Sequence, residues 1–131
     1  MKYKFYTTSE SAWQAMLETI QEAKHYIFLE SYILIEDELT RKLLQAIKER
    51  AAAGVNVKIV VDRIGNFWFS NLPVIEYTKI GIEILFFSRL LNRNHRKVLI
   101  IDGQTAFIGG VNIRGGYAKW TDLHVKLSEK F

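Results

Sequence analysis

The chain has 131 residues, 49% of them hydrophobic, and its 18 basic and 14 acidic side chains leave a net charge of +4. That length makes one domain, 1–131, with enough chain to bury a core, and the lack of cysteine excludes a disulfide framework or a thiolate metal centre. The charge is a mild bias toward anionic partners such as phospholipid headgroups or nucleic acid, while no apolar run approaches the ~20 residues that span a bilayer and MKYKFYTTSE has no signal-peptide core.

Residues 2–7 alternate weakly, as a short strand does. Thr7 with Glu10 three positions on has the form of a capping box, and Trp13, Met16, Leu17, Ile20 and Ala23 then recur at helical spacing. Residues 26–34 are rich in aromatic and branched side chains and read as a buried strand, with Glu30 set among them. A carboxylate in such a strand needs a partner, so Glu30 either lies near a functional site or ends the strand bonded to backbone. Asp37 is placed to cap a second helix carrying Leu39, Leu43, Leu44 and Ile47, which Ala53-Gly54 ends, and 55–61 is a continuous branched strand. Strand, helix, strand with a right-handed crossover predicts parallel neighbours in an α/β architecture, whose ligands gather where strands end.

Residues 62–72, DRIGNFWFSNL, break periodicity and set Phe67, Trp68 and Phe69 close to Gly65. Three adjacent aromatics there are either a loop folded over the core or a cap that touches a site mouth, an acyl chain or a membrane interface. Pro73 suits the first turn of a short helix running to Lys79, Gly81 stops it, and 82–87 is a further strand. Arg89 and Arg93 follow, either as solvated loop charges or as an attraction for an anionic substrate.

The most informative stretch is 94–112, NHRKVLIIDGQTAFIGGVN. On a strand, His95 and Lys97 share one face, roughly 7 Å apart along it. Asp102-Gly103 supplies a hairpin turn, because Asp-Gly readily takes positive φ angles, and 105–108 is the returning strand. It ends in Gly109-Gly110, where backbone can approach a ligand, and in Asn112, a neutral donor. Beyond a glycine-rich loop, Asp122, His124 and Lys126 alternate with Leu123, Val125 and Leu127 along a last strand.

The pattern His-x-Lys-x-x-x-x-Asp, met by His95, Lys97 and Asp102, followed by Gly109 and Asn112, resembles the phospholipase D superfamily and its HKD motif. The segments AWQAMLETIQEAKHYIFLESYI, RAAAGVNVKIVVD and WTDLHVKL extend the likeness over nearly the whole chain, and with the Gly-Gly-Val-Asn-Ile form they are most similar to the N-terminal half of bacterial cardiolipin synthases. Many members of the superfamily have Gly-Ser where this chain has Gly109-Gly110, so a serine hydroxyl contact to phosphate is missing. The resemblance implies a single phospholipase D-like half-domain, a mixed, largely parallel sheet flanked by helices.

It also implies the chemistry: phosphodiester transfer or hydrolysis on phospholipids through a phosphohistidine, with His95 as nucleophile. A neutral imidazole attacks an anionic phosphodiester more readily than an anion does. Lys97, Gly110, Asn112 and Glu30 fall where the resemblance puts substrate contacts, and Asp122 falls where an acidic residue holds the catalytic imidazole. Asp102 belongs to the motif, but alternation turns it from the His95 face toward shaping the turn. His124 has no fixed role in the motif and reads as structural. The three histidines lack metal-ligand spacing, so no metal or other cofactor is required. One histidine leaves the departing alkoxide without an acid on the far side of phosphorus. The superfamily supplies it from a second HKD motif, which here implies a homodimer or a missing C-terminal half. The alternatives are a homodimeric nuclease of the same superfamily or a catalytically silent half-domain that binds phosphodiesters. The expected location is cytoplasmic or peripheral at the inner membrane face.

Overall fold

A computed structural model describes residues 1–67, 73–88 and 92–129, with Phe67 described in backbone only. Its elements, in chain order, are β1 (Lys2–Thr8), α1 (Ser9–Gln21), β2 (Tyr26–Ser31), α2 (Arg41–Ala52), β3 (Asn56–Asp62), α3 (Arg63–Phe67), α4 (Val74–Lys79), β4 (Glu83–Phe87), β5 (Val98–Ile101), β6 (Thr105–Gly109), a 3-10 turn (Gly115–Tyr117) and β7 (Thr121–Ser128). The strands form one sheet in the order β1-β7-β6-β5-β2-β3-β4. The β2, β3 and β4 neighbours are parallel, as the strand-helix-strand reading predicts. The sheet is mixed but not largely parallel: β5 joins β2 antiparallel, and β5-β6, β6-β7 and β7-β1 are antiparallel too. For β5-β6 the cause is connection length, since a tight turn such as Asp102-Gly103 can only reverse the chain.

The two faces of the sheet differ. Ile27, Val57, Ile59, Leu99 and Phe107 are buried beneath α1 and α2, whose Ala12, Met16, Ile20, Leu44 and Ile47 are buried against them. Each of these side chains larger than alanine contributes about 1.5–3 kcal/mol by leaving water. On the other face one register row, Leu85-Val60-Glu30-Val98-Ile108-Val125-Phe5, runs across the sheet, and Leu85, Ile108 and Phe5 in it are exposed.

Three local expectations are corrected. The α1 cap is Thr8, whose Oγ1 accepts from the Ser11 N–H, rather than Thr7 with Glu10, because β1 continues one residue further. The strand expected over 26–34 ends at Ser31, where 33–35 leaves the sheet to bond 113: Ile113 N donates to Ile33 O and Ile35 N to Ile113 O. Asp37 does not cap α2 directly. Its Oδ1 accepts from Leu39 N and Thr40 N in the turn before the helix, its Oδ2 accepts from Gly115 N at 2.6 Å, and Leu39 is left 60% exposed. Trp68, Phe69 and Arg89 lie outside the described residues, as does the Phe67 side chain.

Candidate active site

The parallel strands β2 and β3 end at the same edge at which β5 begins. Asp62, the last residue of β3 and almost fully buried, fixes the chain there. Its Oδ1 accepts from Ile64 N and Gly65 N, closing the turn into α3, and its Oδ2 accepts from Asn94 N at 2.7 Å. Asn94 is held from the other side as well, because its side-chain amide donates to Glu30 Oε1. His95 therefore follows a residue clamped by two strands.

His95 and Lys97 lie just ahead of β5 rather than within it, yet alternation still sends Lys97 to the face of Leu99. His95 is exposed, whereas Lys97 is 5% exposed and sits behind it. The Lys97 Nζ donates to His95 O at 2.8 Å and lies 2.9 Å from His95 Nδ1 and 3.2 Å from Nε2. The Tyr32 ring completes the pair, 4.6 Å from the imidazole centroid and 5.5 Å from Nζ. Burial and then the Lys97 charge hold the His95 pKa below its ordinary value, with Asp62 opposing. The ring is thus uncharged near neutrality, the form that can accept from an ammonium or attack an electrophile. Burial likewise lowers the Lys97 pKa, with Asp122 opposing.

Asn112 arrives through the 33–35 segment. Ile33 N donates to its side chain at 3.1 Å, which makes that atom the amide oxygen and leaves the NH2 as the free end. Trp13 Nε1 donates to the Asn112 backbone carbonyl at 3.0 Å, tying α1 to the same residue. Gly110 is needed because a Cβ there would collide with the Asp122 carboxylate, and at Gly109 a Cβ would come within 2.7 Å of His124 Cα. Asp122 Oδ1 accepts from Leu123 N at 2.8 Å, and among the described residues no hydrogen bond joins it to His95. The imidazole faces Lys97 instead, two positions along the chain. His95, Lys97, Gly110, Asn112 and Asp122 nevertheless line one cavity of about 490 Å³, together with Tyr32, Tyr117 and Trp120.

Two residues singled out in the sequence lie elsewhere. Glu30 does not line the cavity: strand alternation puts it in the open-face row with Val98, and its effect on the site passes through Asn94. Asp102 occupies the far end of the hairpin, where it takes φ 54° and Gly103 φ 63°. Its carboxylate accepts from Lys24 N, His25 N and Tyr26 N, each at 2.8 Å, stitching the hairpin turn to the start of β2. Arg93 is exposed beside the site.

Sequence reading missed Asp62, Asn66, Tyr32 and Trp13. Asn66 is 3% exposed and holds the Tyr32 segment, donating to Tyr32 O and Asp62 O and accepting from Leu34 N. The signal for Asp62 was present, an acid at the end of a buried parallel strand, where sites of this architecture lie. His124 is almost fully buried, as a structural histidine would be, and Val111 N donates to its Nδ1 at 3.4 Å. That fixes the proton on Nε2, which has no partner within the described residues. Burial pushes its pKa down to about 4 against a smaller upward pull from Asp122. No group of three or more His, Asp or Glu among the described residues can hold a metal, and no described helix is long and apolar enough to cross a membrane.

A family model described as cardiolipin synthase, PLD-like domain, matches residues 16–122. The cardiolipin synthase of Geobacillus thermodenitrificans is 34% identical over 91% of this chain and 27% of its own length. That of Clostridium perfringens is 36% identical over 93% of this chain and 29% of its own. This chain thus spans under a third of the length of these curated relatives. Among solved structures, the phospholipase D family member Nuc from Salmonella typhimurium superposes with a TM-score of 0.74 and 25% identity, over 98% of this chain and 85% of that one. Sequence, fold and the clustering of His95, Lys97 and Asn112 agree, and the chain belongs to the cardiolipin synthase, PLD-like domain family.

Proposed function

We propose that this chain supplies one half of a phospholipase D-type site for phosphodiester transfer or hydrolysis on phospholipids. The observation that carries the reading is the cavity in which an exposed, uncharged His95 stands in front of a buried Lys97, with the Asn112 amide at its wall. A ring nitrogen of His95 attacks phosphorus, the bond to the departing alkoxide breaks, and the phosphatidyl group, still carrying its other ester, remains on the imidazole. Lys97 and Asn112 stabilise charge on the non-bridging oxygens, a task divalent metals perform elsewhere, so the scheme needs no cofactor. Asp122 stands across the cavity to orient the ring once substrate separates His95 from Lys97. The alkoxide takes its proton from an acid on the opposite side of phosphorus, the histidine of a second HKD motif, supplied by another copy of this chain or by a C-terminal half. Water or an alcohol then resolves the intermediate. Such a domain works in peripheral contact with the inner face of a membrane.

A homodimeric nuclease is the second reading, favoured by the likeness of the whole fold to Nuc, a phospholipase D family member. Phosphatidylglycerol and plasmid DNA, offered side by side to the chain while its mass is read by light scattering, separate the two. Turnover of the phospholipid by a two-motif assembly supports the lipid reading. Cleavage of DNA alone would replace it with the nuclease, and phosphodiester binding without turnover in any assembly leaves a silent half-domain.

A further inference from the structure

Beside the catalytic cavity lies a groove of about 260 Å³ between the first turns of α1 and α2. Trp13, Leu17, Leu39 and Leu43 form its apolar walls, and the exposed Lys42 and Lys119 line it together with Glu10. Groove and cavity share structure. Trp13 lines the groove while its indole N–H holds the Asn112 carbonyl. Ala118 and Lys119 line the groove, and Tyr117 and Trp120, immediately flanking them, line the cavity. The same wall is fastened to α1 by Glu10 N donating to Ala118 O.

Leu39 is the residue without a structural explanation. Helical spacing assigns it to the core, yet it stands 60% exposed at the groove, in a turn whose conformation is set by Asp37 rather than by leucine packing. We infer that this groove takes one acyl chain of a phospholipid whose phosphodiester sits at His95, Lys97 and Asn112. The inference rests on the phospholipid reading above and names how the site selects it. Two features decide for a single hydrocarbon chain. The volume is below the roughly 300 Å³ at which drug-sized pockets begin, so it suits a thin flexible occupant. Lys42 and Lys119 against the single Glu10 leave its lining net positive, the sign that complements an anionic phosphodiester in the adjoining cavity, which a purely apolar protein segment would not need.

Leucine-methyl and side-chain amide NMR on the intact chain tests this, with three probes: dihexanoylphosphatidylglycerol below its micellar concentration, glycerophosphoglycerol, and hexyl glucoside. The diacyl lipid is expected to shift the Leu17, Leu39 and Leu43 methyls together with the Asn112 amide. The deacylated compound should move the Asn112 amide alone and bind at least tenfold more weakly. Leu39→Asn, at a surface position, should weaken the diacyl lipid about tenfold, the cost of one partly buried leucine contact. A diacyl lipid that shifts Asn112 and leaves the three leucines still would overturn the acyl groove while sparing the phosphodiester site. Leucine shifts as large with hexyl glucoside as with the phospholipid, or an affinity unchanged in Leu39→Asn, would overturn it as well. Silence at Asn112 and at the leucines with every probe would remove both the groove and the phospholipid reading.

Discussion

The hairpin β5-β6 carries polar motif residues at both ends, and the two ends are built on opposite principles. At the turn, the Asp102 carboxylate is committed to three backbone N–H groups of the segment entering β2. At the open end His95 is exposed and, among the described residues, the Asn112 NH2 is uncommitted and Asp122 carries one local bond. A carboxylate saturated by backbone has nothing left for a substrate, so Asp102 holds the scaffold. The open end has its donors and acceptors fixed in place by residues behind it, Asp62 and Glu30 through Asn94 and Tyr32 through Asn66. Membership in a motif does not distinguish these roles; the count of bonds already made does.

Substitutions can break this contrast. His95→Asn should lower turnover by at least about a thousandfold, since among the described residues no other imidazole lines the cavity, with the melting temperature nearly unchanged. A loss of stability matching the loss of activity would make His95 part of the scaffold. Lys97→Met should cost about a hundredfold or more through lost charge stabilisation. It should also move the acid limb of the pH-rate profile to higher pH, because Lys97 helps hold His95 below its ordinary pKa and the uncharged ring is the active form. A limb that stays in place or moves down contradicts that coupling.

The smaller effects concern stability. His124 is uncharged in the fold down to about pH 4, against 6.5 when unfolded, so folding stability should fall as pH drops through that window and level off below it. The full loss is about 3 kcal/mol, at roughly 1.4 kcal/mol per pH unit. Chemical denaturation of His124→Phe at pH 7 and pH 4.5 should show most of that slope gone. For Asp102→Ala the expected cost is about 2 kcal/mol, the scale for hydrogen bonds to a charged acceptor. Burial raises the Asp102 pKa, but the three backbone bonds together with the His25 charge outweigh it and hold it below the ordinary value, so its contribution is present above the ordinary carboxylate value and fades as pH falls through the lowered one. Turnover per folded molecule should change less than tenfold; a collapse comparable to that of His95→Asn would erase the difference between the two ends.

Much of this arrangement was legible in the sequence. The α1 and α2 stripes, the branched β3, the Asp102-Gly103 turn and the spacing of His95, Lys97 and Asn112 depend on neighbours within a few residues. Tight turns and helical faces are local properties. The clamp on Asn94 was not legible, because Asp62 and Glu30 reach it across 32 and 64 positions of chain. The pairing of 33–35 with 113 was hidden for the same reason. Glu30 shows the limit most plainly: composition marks it as needing a partner, but only the register of β2 against β5 puts it on the face away from the cavity.

The central claim is that His95 carries the phosphatidyl group covalently during turnover. The most direct measurement is mass spectrometry of peptides from the two-motif assembly, quenched in base during turnover of phosphatidylglycerol. A phosphatidyl adduct on the His95 peptide, or the glycerophosphoryl adduct left when base removes its acyl chains, absent in His95→Asn, is the predicted result. Turnover at full rate with no adduct on that peptide, or with the adduct on a different residue of this chain, would contradict it.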